Sequence, residues 1–151
     1  MGFFSKLKKK MTGSWADVTV ELPKEIARGS EVTATVRVKV KDEPVDVDKI
    51  VLSLRCNEEI HIPRHTVHAQ GETVTVDVRH DENLYKEEVD VTGSLQLGAH
   101  DHRTFDVPLK VPADAPVSFE GICARYVWQV YAALEMSGND PDSGWSEVVV
   151  R

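Results

Sequence analysis

The sequence predicts an all-β protein: a two-sheet antiparallel sandwich of the immunoglobulin-like kind, with a short N-terminal helix in front of it. Two observations support this. Apolar and polar residues alternate with a period of two along most of the 151 residues, as in strands with one buried and one solvated face. Turn-forming residues separate the alternating segments at short intervals, which is typical of antiparallel sandwiches.

The clearest strand is predicted over residues 31–41, where alanine and valine occupy every even position and polar residues lie between them. Arg28-Gly29-Ser30 is predicted to form the turn before it. The same alternation predicts further strands at residues 18–22, 50–56, 74–78, 89–97, 105–111 and 145–150.

Three positions need an individual interpretation. Gly93 interrupts the segment 89–97 and is expected to mark a bulge or a close approach of another chain segment. Pro108 lacks an N–H donor, so its strand is expected at a sheet edge or a bulge. The apolar run 122–136 is long enough for a helix, but its aromatic and β-branched residues favour one long strand.

Composition excludes several classes of protein. Hydrophobic residues make up 41% and charged residues 28%, which is typical of a globular protein rather than a disordered one. The net charge of −7 argues against a nucleic-acid partner. Cys56 and Cys123 lie in apolar strand patterns and are expected to be buried free thiols. No segment is apolar over the length of a membrane span, so a cytoplasmic location is expected.

The segment 105–121, FDVPLKVPADAPVSFEG, is the most specific motif. With Tyr126 and the small-residue run after it, the motif resembles the arrestin-like pattern, in which an apolar-Pro strand end and a Pro-, Ser- and Gly-containing loop precede a long strand. Arg28-Gly29-Ser30-Glu31-Val32 resembles the turn that opens the second strand of that family. In the loop, prolines are expected to add rigidity and Gly121 to adopt a backbone angle that other residues resist.

Within the arrestin-like superfamily the chain is most similar to bacterial sporulation-control proteins, which begin with a comparable Phe-Phe-Lys segment. The resemblance implies a single arrestin-like sandwich over residues 14–151. Because arrestin-like proteins usually hold two such sandwiches, the chain is expected to be either a half-length member or the N-terminal half of a longer protein. The family pattern is a fold signature, so it implies no catalytic residue.

The N-terminal segment, residues 1–13, has four lysines and no acid, whereas the remaining residues carry 25 acidic groups against 14 basic ones. Its apolar residues recur at helical spacing, which predicts a basic amphipathic helix. Packing of this helix against the sandwich, or fraying, is the favoured interpretation, and binding to a partner groove or an anionic membrane surface is the alternative. The residues expected to make this contact are Phe3, Phe4, Lys6, Leu7, Lys8, Lys9 and Lys10.

Other candidate sites are weak. His61, His65 and His68 cluster within eight residues, but they are interpreted as solvated loop residues rather than zinc ligands. The segment 139–144 contains turn residues and lacks the full ligand set of a calcium loop. No nucleophile elbow or phosphate-binding glycine loop is present, so we expect no cofactor, no metal and no enzyme activity.

The sequence therefore predicts a non-catalytic intracellular adaptor, scaffold or regulatory protein that binds protein partners through a sheet surface or a strand edge. The alternative is a membrane-peripheral protein anchored by residues 1–13. A metal- or sugar-binding sandwich that uses the histidines is a third option. A homodimer formed through strand edges is also open.

Overall fold

A computed structural model of the protein describes residues 15–138 and 140–151, and every regular element in this part of the chain is a strand. The eleven strands are β1 Ala16–Glu21, β2 Glu25–Ile26, β3 Glu31–Val40, β4 Val45–Val47, β5 Lys49–Ala69, β6 Glu72–Thr92, β7 Leu95–Leu97, β8 His102–Lys110, β9 Phe119–Glu120, β10 Ala124–Glu135 and β11 Ser146–Val150. The all-β prediction is confirmed. The predicted helix falls in residues 1–13, outside the described residues.

Two main sheets share one core. The smaller has the order β1-β3-β8, and the larger has the order β2-β11-β10-β5-β6, with β9 pairing to β10. A third pair joins β4 to β7. All pairings are antiparallel except that of β11 with β2. The inward residues of both main sheets form a single buried apolar cluster, as in a β-sandwich.

Alternation in β3 gives the expected burial. Ala34, Val36, Val38 and Val40 are buried, whereas the residues between them face solvent or are half-buried. The turn before β3 also forms as predicted, because Gly29 has a φ of 75° and donates its N–H to the Val111 carbonyl over 2.7 Å. This φ lies in the left-handed region that glycine adopts without a steric penalty.

The long strand predicted over 122–136 is confirmed as β10, which lies at the centre of the larger sheet between β5 and β11. Its Trp128 is fully buried, packs against Tyr85 at a ring-centroid distance of 5.4 Å, and donates its Nε1–H to the Pro116 carbonyl over 2.8 Å. That bond ties the proline-containing loop to the sheet. Pro108 lies on β8, an edge strand, as predicted.

Two sequence interpretations were wrong. Residues 89–97 do not form one strand with a bulge, because the chain leaves the larger sheet at Thr92 and β7 pairs with β4 instead. Gly121 does not have a positive φ; its constraint is steric, since a Cβ there would lie 3.0 Å from the Phe119 ring and 3.2 Å from the Ala124 carbonyl oxygen. Glycine is needed for close approach rather than for an unusual angle.

Candidate functional site: a projecting hairpin

The β5–β6 hairpin extends well beyond the body of the sandwich. Each strand has 21 residues, but β10 accompanies β5 only as far as the Ala124–Ile60 pair. The nine residues of β5 beyond Ile60 therefore form a two-stranded ribbon with β6, about 30 Å long at the usual rise per residue. Nearly all residues of this ribbon are exposed. A ribbon this exposed adds little to the core.

A bulge and a tight turn set the geometry of the ribbon. Pro63 and Arg64 together oppose Asp77, and the Arg64 N–H donates to the Asp77 carboxylate over 3.2 Å. Arg64 has a φ of 52°, which suits the extra residue of a bulge. At the tip, Gln70 and Gly71 both have positive φ, as required in the two-residue turns of tight hairpins.

The ribbon carries an apolar face that continues the core-facing side of the sheet. Leu52, Leu54 and Cys56 on this side are buried in the body. Farther along, the cross-strand pairs Ile62–Val78 and Val67–Val74 lie on the same side, since the bulge adds one residue without reversing the faces. Val67, Val74 and Val76 are 39%, 46% and 37% exposed. We call the side chains of Ile62, Val67, Val74, Val76 and Val78 the valine face.

The outer edge of the hairpin is open as well. Strand β6 is the last strand of the larger sheet in the described part of the chain. Its distal segment 73–78, Thr-Val-Thr-Val-Asp-Val, has high β propensity, one charge, and no proline or glycine. Edge strands in proteins are usually protected by prolines, bulges or several charges. This segment has few of these protections, so it offers main-chain groups to an added strand.

Three potential metal ligands meet at the base of the ribbon, on the same side as the valine face. Single ligand atoms of Glu58, His80 and Glu82 all lie within 4.8 Å of one another. Glu58 and Glu82 are directly opposite each other in the ladder, and His80 Nε2 is 3.5 Å from a Glu82 carboxylate oxygen. The Tyr126 hydroxyl donates to Glu58, and the charge of Glu58 together with this bond raises the pKa of Tyr126.

The opposite side of the hairpin base forms an open recess of about 540 Å³ against the 120–125 segment. Here Arg125 donates to Glu59 over 2.5 Å and lies 3.8 Å from Glu147, and these contacts raise the pKa of Arg125. Ile122 on the rim is fully exposed. Glu59 and Arg125 on the lining of this recess are already paired with each other, and we assign the recess no chemistry.

The structure places the candidate residues differently from the sequence interpretation. His61, His65 and His68 are exposed, as expected, but they lie on strand β5 rather than in a loop. Cys56 is buried as predicted, while Cys123 is only half-buried. The predicted contact residues Phe3 to Lys10 fall outside the described residues, so their role stays a prediction.

Sequence reasoning missed the Glu58–His80–Glu82 cluster because Glu58 lies 22 and 24 residues before the other two members of the cluster. The signal that could have found it was the Gln70-Gly71 turn between two alternating segments. Folding the sequence about that turn places residues 58 and 82 near the same height.

Comparison with known proteins identifies the family. The sequence model of the Spo0M family, described as "SpoOM protein", matches residues 4–143 of this chain. The chain belongs to the Spo0M family. None of the curated proteins matches the chain. The crystal structure of Spo0M, sporulation control protein, from Bacillus subtilis matches with a TM-score of 0.64 at 21% identity, covering 90% of this chain and 49% of that one.

Spo0M is arrestin-like, so the resemblance predicted from the sequence is confirmed. The chain spans about half the length of the Bacillus subtilis Spo0M structure. A Pseudomonas fluorescens alkylpurine DNA glycosylase, AlkC, bound to DNA with an abasic-site analogue, matches with a TM-score of 0.44 at 12% identity, over 94% of this chain and 32% of that one. That score is too low to support an argument. No helix that could span a membrane occurs among the residues described.

Proposed function

We propose that the chain is a non-catalytic regulatory adaptor of the sporulation-control type, and that it binds a protein partner through the β5–β6 hairpin. Membership of the Spo0M family supports the regulatory role. The observation that carries the binding mode is the valine face: exposed aliphatic side chains in register on a ribbon that projects from the body. Contiguous exposed apolar patches on a protein surface often mark interaction sites.

The partner is expected to supply an extended segment that pairs with β6 at residues 73–78. Strand addition satisfies the open main-chain groups, and alternate side chains of the added strand extend the valine face. Apolar residues at every second position of the partner would therefore contact Val74, Val76 and Val78. Basic rather than acidic flanks are expected, because the body of the protein carries an excess of acidic groups.

A matched pair of variants on one strand tests the binding mode. Val74→Lys/Val76→Lys places two charges on the valine face, and Thr73→Lys/Thr75→Lys places the same two charges on the opposite face. Both pairs of sites are exposed, so both variants are expected to fold. The first variant should lose at least about tenfold in partner affinity, or 1.4 kcal/mol, whereas the second should lose much less.

A library of random peptides displayed on phage can identify the sequence pattern of the segment that binds the hairpin. The parent protein should enrich peptides with alternating apolar residues and basic flanks, and NMR shifts caused by a selected peptide should map to residues 73–78. Peptides that bind both lysine variants equally well, or whose shifts map elsewhere, would refute the hairpin as the docking site.

A further inference from the structure

We infer that Glu58, His80 and Glu82 form a binding site for one divalent transition-metal cation, represented here by Zn²⁺. The ligand atoms already lie within 4.8 Å of one another. Zinc bound at 2.0–2.2 Å requires ligand separations of roughly 3.3 Å, so side-chain rotation of the half-buried Glu58 and the exposed Glu82 can close the site. An imidazole beside two carboxylates favours a transition metal over the all-oxygen coordination that calcium prefers.

The charges at this position support a cation. Two adjacent ladder positions place acid opposite acid: Glu58 with Glu82 on one side of the sheet, and Glu59 with Asp81 on the other. Like charges directly opposite each other destabilise a sheet. The second pair is compensated by Arg125, which binds Glu59. Among the described residues, no lysine or arginine forms an ion pair with Glu58 or Glu82, and the basic side chain that lies beside Glu82 is the imidazole of His80.

The surroundings hold the ligands in place. All three project from paired residues of a ladder in the larger sheet, which fixes their backbone positions. The Tyr126 hydroxyl donates one hydrogen bond to Glu58, whose carboxylate has further acceptor positions that a cation can use. A hydrogen-bond donor behind a ligating carboxylate is a common feature of metal sites. Three protein ligands leave a coordination position for water or for a side chain of another molecule.

Calorimetric titration of the full chain, first stripped with EDTA, tests this site. Zn²⁺ should bind with a stoichiometry of one, and Ca²⁺ at the same concentration should bind far more weakly. His80→Asn and Glu82→Gln should each weaken Zn²⁺ binding by more than roughly tenfold. Asp81→Asn, on the other side of the same strand, and His65→Asn, farther along the hairpin, should leave the affinity unchanged within about twofold.

Histidine-selective ¹⁵N NMR provides an independent readout. Stoichiometric Zn²⁺ should shift one ring nitrogen of His80 and leave those of the other five histidines unchanged. The absence of one-to-one binding, binding that survives both His80→Asn and Glu82→Gln, or an equal loss in His65→Asn would overturn the inference. Circular dichroism of each exposed-site variant confirms that the fold is intact before the titration.

Discussion

Replacing Trp128 with phenylalanine tests whether the proline-containing loop is fastened to the centre of the sandwich. Trp128 is fully buried and its Nε1–H donates to the Pro116 carbonyl over 2.8 Å. Losing this bond and leaving the carbonyl without it costs about 1 kcal/mol. The smaller phenylalanine ring also leaves a void beside Tyr85. This void costs roughly 1–2 kcal/mol, which is less than the cost of truncating a buried tryptophan to alanine. The free energy of unfolding should fall by about 2–3 kcal/mol.

Urea unfolding followed by far-UV circular dichroism measures this loss, and the m-value should stay unchanged. The melting temperature should fall by about 5–10 °C, given roughly 2–4 °C per kcal/mol for a chain of this size. Trp145→Phe is the matched control, because Trp145 is only half-buried, stacking on Tyr131 and lying under the Arg55 guanidinium. A loss below about 1 kcal/mol in Trp128→Phe, or an equal loss in both variants, would refute the reasoning.

Four further predictions concern other parts of the molecule. Burial raises the pKa of the Cys56 thiol to about 11. A thiolate-specific reagent at pH 8 should therefore label only Cys123 in the folded protein and both cysteines in urea. Rapid labelling of Cys56 in the folded protein would contradict this. Because that folded pKa lies above the ordinary value of 9.0, stability should fall as the pH rises from 9 through 11, and by less in Cys56→Ala; urea titrations at pH 8 and 10.5 measure the difference. Gly71→Val should speed amide hydrogen exchange at the hairpin tip but not in β10, since φ at Gly71 is 78°; unchanged exchange at the tip would count against the tight turn. Removing residues 1–13 should abolish flotation with anionic liposomes if the amphipathic segment binds membranes, and equal flotation of both forms would exclude that role.

The core of the sandwich was predictable because burial follows the two-residue period of a strand. In β3 and β8 the inward side chains are those that the alternation selects. The long strand β10 was also predictable. Its length is compatible with a helix, but its aromatic and β-branched residues favour a strand. Gly93 was misread because alternation shows that a segment is extended but not which sheet it joins. The chain leaves β6 at Thr92, and β7 pairs with β4 instead. This pairing depends on tertiary contacts and has no signal in the local sequence.

The candidate site was harder to predict for a related reason. Period-two valines at residues 74–78 look the same in sequence whether a second sheet covers them or solvent does. The structure shows that β10 stops pairing with β5 at Ala124 and Ile60, and that Val74 and Val76 beyond this point are exposed among the described residues. The histidines on β5 likewise drew attention by their closeness in sequence, whereas the groups that meet in space are His80, Glu58 and Glu82.

The hairpin is better explained by function than by stability. Its proximal half shares the buried core, so it folds with the sandwich, but a two-stranded ribbon in water is marginal on its own. Ordering each distal residue costs backbone entropy that exposed valines recover only in part. At the base, Glu58 opposes Glu82 with no lysine or arginine ion-paired to either within the described chain. Both features lower stability in isolation, and each would be relieved by a different one of the proposed ligands: an added strand along 73–78 and a cation at Glu58, His80 and Glu82. Since the cluster and the valine face lie on the same side of one hairpin, a metal there would stiffen the base of the ribbon to which we propose that the partner binds.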